Sequence, residues 1–460
     1  MSPQNGWFLR PMAKLLIPIL SLFTLAGHAS AEWKEKVLYS FQGLPDGADP
    51  VGAIAFDVAG NLYGATLDGG ADNCPGIAQC GTVFQLEPPK QKGGAWSESL
   101  IYVFKGKNSN DGETPDGGVI FDKAGNLYGT TSYGGTGDCV LLGIKVGCGV
   151  VYKLTPPKQK GGAWTESVIY SFKGGKDGYL PNGDLTFDVA GNLYGATEFG
   201  GGKGTSCDPY YQYCGTVFEL SPPKTKGGRW SEQILHSFAA GSDGYNPNGG
   251  LLVDNKGAVY GTTPLGGNQL CNLGQYQVGC GIAFKLVPPG RVGGAWTEKI
   301  VHVFTDGKDG AGPNGGLIFD TKEAIYGTAG GGGSGNGRGV VFRFTQSRNG
   351  QWNEMALYSF QGSDGWGPSG PVTFDALGNV YGTTNSGGAH FRGTFFRLKP
   401  TGSKWAFDLV YSFMGSPDPA FPAARVIVDK AGDHFYSTTQ GGGTGQACQS
   451  GCGTVFEVWQ

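Results

Sequence analysis

Residues 117–131, GGVIFDKAGNLYGTT, are two short runs of alternating apolar and polar residues joined by Asp122-Lys123-Ala124-Gly125-Asn126. The side-chain period is two and β-branched and aromatic types dominate. A D-x-x-G-N sequence suits a tight hairpin whose glycine takes the left-handed position. Two further strand signals follow at 149–154 (GVVYKL) and 164–172 (WTESVIYSF). The segment therefore predicts four antiparallel strands in succession.

The unit recurs along the chain. Its anchor tyrosine stands at Tyr63, Tyr128, Tyr194, Tyr260, Tyr326 and Tyr381, and at Tyr436 in a degenerate HFYSTT, with spacings of 65, 66, 66, 66, 55 and 55 residues. No helical period competes with it after the leader. Copies of this kind predict an all-β, seven-bladed β-propeller of four-stranded antiparallel blades, because one blade cannot bury both faces and needs its neighbours. The two ends predict how the ring closes. Trp33–Phe41 (WKEKVLYSF) is an outer-strand signal with no blade before it. Gly453–Val458 (GTVFEV) is a third-strand signal with no fourth behind it. A one-plus-three closure follows, in which the N-terminal strand completes the blade near residues 424–459 and removes an open edge.

The motifs W-x-E-x-x-[LI]-Y-x-F, D-G-x-x-P-x-G, N-L-Y-G-[AT]-T and G-T-V-F-x-L together resemble the Gloeo/Verruco (GloVer) tandem repeat of bacterial secreted and surface proteins. The resemblance covers nearly all the chain after the leader. It implies a bacterial exported propeller-like protein and no particular reaction.

The first 31 residues read as a signal peptide: Arg10 and Lys14, an apolar Leu15–Gly27, then Ala29-Ser30-Ala31 for cleavage. Residues 32–460 are then one propeller domain, secreted, extracellular or periplasmic, with no membrane span once the leader is removed. The chain has 34 basic and 37 acidic residues, and loss of the leader takes its net charge from −3 to −5. That balance offers no basic stripe for nucleic acid. A monomer is expected.

All ten cysteines fall between the second and third strands of a copy, as Cys74/Cys80, Cys139/Cys148, Cys207/Cys214, Cys271/Cys280 and Cys448/Cys452. Copies five and six lack both members, as pairing within each loop predicts. In an exported protein these are disulfides. Spacings of 6, 9, 7, 9 and 4 match no zinc pattern, so neither metal nor other cofactor is expected.

In a four-stranded meander the cysteine loops leave from the same rim as the D-G-x-x-P loops, and this rim is the candidate functional face. The motif repeats Asp46, Asp111, Asp177, Asp243, Asp309, Asp364 and Asp418. An aspartate in every copy suits a structural turn whose carboxylate accepts backbone N–H groups. Calcium is the functional alternative, but no loop has dense EF-hand spacing. The aromatic residues differ more between copies. Tyr179, Tyr245 and Trp366 follow the Asp-Gly step, while Tyr210, Tyr211, Tyr213 and Tyr276 lie inside cysteine loops. They are the candidate ligand-binding residues, suited to sugar rings or protein surfaces, against the plainer reading of loop packing. On the opposite rim, Lys90, Lys92, Lys158, Lys160, Lys224 and Lys226 read as solvated hairpin tips, and the tryptophans in register (Trp96, Trp164, Trp230, Trp296, Trp352, Trp405) as packing.

Histidine is too scarce for a triad. His236 and His302 stand where other copies have tyrosine, and only His390 falls in a loop of the candidate face. No catalytic residue is assigned. The leading expectation is a binding module for a glycan or an extracellular protein. Its competitors are a carbohydrate-active hydrolase or lyase using Asp or Glu at the channel mouth, with Glu113 and Glu198 as copy-specific acids, and a passive surface element.

Overall fold

The alternation in 117–131 appears as paired strands in the computed structural model, which describes residues 32–71, 74, 79–91, 93–159, 161–202, 214–273, 276–291, 293–334 and 337–460. The predicted leader lies outside these residues. Blade 2 runs outward from the channel as Ile120–Phe121, Leu127–Thr131, Val150–Thr155 and Thr165–Ser171. Blade 1 does the same with Gly47–Phe56, Leu62–Gly69, Thr82–Glu87 and Ser97–Val103. Seven such antiparallel sheets make a seven-bladed propeller, and Trp33–Gln460 form one unit. Among the described residues the helical content is three short 3-10 turns. Among the described residues two cysteine loops contain a small hairpin of their own, Val140–Leu141 with Ile144–Lys145 and Leu270–Leu273 with Tyr276–Gly279, which the repeat pattern did not predict.

Closure is one-plus-three. Lys34–Ser40 pairs antiparallel with Thr454–Trp459, placing Lys34 opposite Trp459 and Ser40 opposite Thr454. Trp33 anchors this strand, edge-on to Tyr381 and tilted against Phe435, with the Arg397 guanidinium 5.0 Å from its ring. Arg397 is held in turn by Asp408, through Nε at 3.0 Å and Nη2 at 2.7 Å.

Among the repeated contacts that join the blades, two involve the Y-x-F phenylalanine and the motif proline. The phenylalanine closing each Y-x-F or H-x-F meets the third-strand aromatic of the next blade, edge to face in six blades and tilted in the Phe304–Phe342 pair. Phe41–Phe84, Phe104–Tyr152, Phe172–Phe218, Phe238–Phe284, Phe304–Phe342, Phe360–Phe396 and Phe413–Phe456 have centroids 5.0–5.3 Å apart. Such pairs contribute about 0.5–1.5 kcal/mol each beyond the area they bury. The glycine of N-L-Y-G makes room for that ring: a Cβ on Gly64 would lie 2.5 Å from Phe84 Cζ.

The second contact lies at the disulfide rim. The residue before each motif proline takes φ between +52° and +65° (Asp49, Thr114, Leu180, Asn246, Gly312, Gly367, Phe421). Its N–H donates to the preceding blade, to the carbonyl of Cys452, Cys80, Cys148, Cys214, Cys280, Arg338 or Arg392, at 2.8–3.2 Å. The proline then sits on the glycine after that carbonyl residue. A Cβ on any of Gly453, Gly81, Gly149, Gly215, Gly281, Gly339 and Gly393 would lie 2.3–2.7 Å from the proline Cδ.

Candidate functional site

Gly47 pairs with Gly69, so the D-G-x-x-P loop enters a blade where the cysteine loop leaves it. The expected common rim is therefore present. Cys74–Cys80, Cys139–Cys148, Cys271–Cys280 and Cys448–Cys452 are disulfide-bonded. Cys207, the predicted partner of Cys214, lies outside the described residues. Blades 5 and 6 replace the second half-cystine with arginine, and each arginine covers an aromatic ring of the next blade. Arg338 lies 4.0 Å from the Trp366 ring centroid and Arg392 lies 5.1 Å from that of Phe421.

The seven motif aspartates are turn residues. Each accepts a bond from the aromatic residue six to nine positions earlier: Tyr39, Tyr102, Tyr170, His236, His302, Tyr358 or Tyr411, at 2.5–3.1 Å. Most also accept a backbone N–H of the turn, as Asp111 does from Lys105 and Asp418 from Met414. His236 and His302 thus stand in for the tyrosine donor. The W-x-E glutamate of the following blade joins the cluster. Burial first, and the aspartate charge second, push Glu98, Glu166 and Glu232 up to about 7 and Glu35 to about 8. Burial, then hydrogen bonding to Asp243, takes Glu298 to about 9. Among the described residues one trio has metal-ligating atoms within 4.8 Å of one another, His236, Asp243 and Glu298. The tyrosine-bearing blades build the same cluster, so the trio is the repeat's blade-to-blade bond with imidazole in place of phenol.

Beyond the proline, the P-x-G step lines the channel. Its variable residue is Val51, Asp116, Asn182, Asn248, Asn314, Ser369 or Ala423, and all seven border a cavity of about 230 Å³ together with Asp184 and Arg425. Asp184 narrows it, accepting the N–H of Gly118 at 2.8 Å and of Ala53 at 3.3 Å from two other blades. Burial holds the Asp116 carboxyl above its ordinary range. Glu198 is raised by burial and then by the Asp116 charge, and it accepts the Asn246 amide at 3.4 Å. The two copy-specific acids therefore part company. Glu198 faces Asp116, while Glu113 is buried in a short strand pair with Tyr133–Gly134.

At the channel mouth, Trp366 is 44 % exposed. It stands between a cleft of about 450 Å³, shared with Asn314, Ser369, Asn385, Ser386 and Gln440, and one of about 520 Å³ that reaches the Cys271–Cys280 loop. Its backbone is pinned by reciprocal bonds with Ser386 at 2.7 and 2.9 Å. A fixed aromatic face beside amides and hydroxyls suits the C–H face and hydroxyl edge of a sugar.

The other predicted aromatic residues do not join it. Tyr179 stacks on Phe199 with centroids 5.3 Å apart, and Tyr245 packs against the core beneath the rim of blade 4; neither borders these clefts. Tyr276 lies in a loop hairpin, and its side chain is outside what is described. Tyr210, Tyr211 and Tyr213 lie outside the described residues. The amides Asn314, Asn385 and Gln440 and the acid Asp116 were not predicted. A usable signal existed: x of P-x-G changes freely within an otherwise repetitive motif.

A family model described as the Gloeobacter/Verrucomicrobia repeat matches residues 22–207, 139–351 and 270–459. No curated protein sequence matches the chain. Among solved structures the chain is similar to a luciferin-regenerating enzyme at 13% identity and TM-score 0.41, covering 75% of this chain and 91% of that one. It is similar to a putative oxidoreductase (glucose dehydrogenase) from Thermus thermophilus at 15% identity and TM-score 0.40, covering 93% and 99%. A calcium structure of Trichoderma reesei Carbohydrate-Active Enzymes Family AA12 gives 13% identity and TM-score 0.41, covering 94% and 96%. Likenesses this low carry no activity to this chain.

Proposed function

We propose that this chain, which belongs to the Gloeobacter/Verrucomicrobia repeat family, is an exported binding module that holds a glycan at the channel mouth of its disulfide rim. Trp366 carries this reading: an exposed indole, held from one side by Arg338 and flanked by the amides of Asn314, Asn385 and Gln440. The leader 1–31 supplies export, and the disulfides belong to an oxidising compartment. N-terminal sequencing of exported protein should begin at Glu32. A glycan array, followed by calorimetry on a hit, tests the site. Trp366→Ala should weaken binding at least about tenfold, the loss of an aromatic anchor. Equal binding by wild type and Trp366→Ala, or an array with no hit, would remove the basis for this function.

A second reading rests on Asp116 and Glu198. Two carboxyls with raised proton affinity, one of them lining the channel cavity, are what acid–base cleavage of a glycosidic bond uses. Turnover of a bound glycan that vanishes in Asp116→Asn would move the chain to that class.

A further inference from the structure

The rim opposite the disulfides carries a groove that the repeat pattern does not explain. In four blades the asparagine of D-x-x-G-N gives its amide to the turn aspartate: Asn61, Asn126, Asn192 and Asn379 bond Asp57, Asp122, Asp188 and Asp375 at 2.6–2.8 Å. The neighbouring blades 4 and 5 have Ala258 and Ala324 instead. Both alanines are buried but line clefts, Ala324 one of about 520 Å³ and Ala258 an adjoining one of about 510 Å³. Lys256, Lys285, Gln346 and Trp352 border both clefts, so the two form one groove across the blade 4–5 boundary. The chain shortens here as well. Seven residues lie between Phe344 and Trp352, against nine between Leu86 and Trp96 in blade 1.

The lining is cationic. Lys256, Lys285, Lys299, Lys322 and Arg343 face it, against Asp254 and Glu323. Lys285 and Arg343 lean on the turn aspartates that lost their amide, at 3.7 Å from Asp254 and 3.6 Å from Asp320. Arg343 Nε is nevertheless buried without an acceptor among the described residues. The positive excess is local, in a chain of net charge −3.

We propose that this groove binds a carboxylated polysaccharide, a polyuronate chain lying across Trp352. Carboxylates answer the lysines and Arg343, the Trp352 ring offers an apolar face to a sugar, and Thr345, Gln346 and Asn349 answer hydroxyls. A phosphodiester polymer gains its affinity from an extended basic surface, whereas the basic side chains here are confined to one groove. This groove is independent of the Trp366 site and stands or falls without it.

Calorimetry with a galacturonate hexamer on the full exported protein, beside a neutral glucose hexamer, tests the assignment. Saturable, salt-sensitive binding of the acidic hexamer alone is expected. Ala258→Asn/Ala324→Asn restores the residue that four blades already carry, so folding should be intact by circular dichroism. Binding should nonetheless fall at least about tenfold as the groove fills. Lys256→Gln/Lys322→Gln should weaken binding similarly, and Trp366→Ala should leave it unchanged. Absence of binding, equal binding of the neutral hexamer, or affinity unaltered by the asparagine pair overturns the proposal. So does equal competition by polyuridylate of matched charge.

Discussion

Phe407 lies flat on Tyr358, with ring centroids 4.1 Å apart and planes 9° from parallel. It occupies the W-x-E position of blade 6, where the other outer strands carry glutamate. Elsewhere that position holds a carboxyl against the aspartate of the preceding turn, and here an aromatic stack replaces it. The comparison separates what the ring needs, a filled interface, from what six interfaces add, a titrating group.

Those glutamates make stability fall with rising pH. Glu35, Glu98, Glu166, Glu232 and Glu298 have folded values of about 7 to 9, above their ordinary 4.5. The folded chain then holds more protons than the unfolded chain between pH 4.5 and 9, so stability is complete below the window and lost as pH rises through it. Discounted for solvent screening to about 1 kcal/mol per glutamate, the melting temperature should drop by roughly 5 °C between the ends of that window. Glu98→Gln/Glu166→Gln/Glu232→Gln should flatten the profile. A melting temperature that rises across the range would contradict the assignment.

The inter-blade glycines should resist substitution unequally. Gly149 (φ +91°) would place a Cβ 2.4 Å from Pro181 Cδ of the next blade, whereas Gly125 (φ +82°) has nothing within 4 Å. Gly125→Ala should cost about 1 kcal/mol, the left-handed penalty alone. Gly149→Ala should cost roughly 2–4 kcal/mol, because overpacking adds to that penalty. Urea denaturation of the two variants measures the difference.

Removing a disulfide should loosen its loop rather than the ring. Cys139→Ala/Cys148→Ala opens a nine-residue separation and should cost about 2–3 kcal/mol in the loop-entropy account. Hydrogen exchange should rise within residues 140–147 and stay low in Val150–Thr155. Arg338→Ala, which removes the cation over Trp366, should cost about 1 kcal/mol.

Deleting residues 32–41 should convert the monomer expected here into aggregates. The deletion strips the partner from Thr454–Trp459 and exposes its unpaired backbone edge. Size-exclusion chromatography reports the change, and a synthetic peptide of residues 32–42 added in trans should restore part of the monomer peak.

Much of the architecture was legible because it is written locally and repeated. Tyr63 to Tyr436 set the number of blades, D-x-x-G-N set the hairpins, and the unmatched strands at either end set the closure. The candidate site was less legible. Trp366 was singled out with tyrosines of blades 3 and 4, but its cleft partners Asn314, Asn385 and Gln440 come from blades 5, 6 and 7. Sequence proximity says nothing about who meets across a channel.

Strand period, turn chemistry and cysteine position are properties of short segments, and they were enough to determine a ring of sheets with one cystine-bearing rim. Which side chains converge was decided only by closure of the ring, because each contact spans a blade boundary. The Asp116–Glu198 carboxyls, the space vacated at Ala258 and Ala324, and the Arg338–Trp366 contact all belong to that second class. Each depends on one or two copies departing from the repeat at a place where two blades touch.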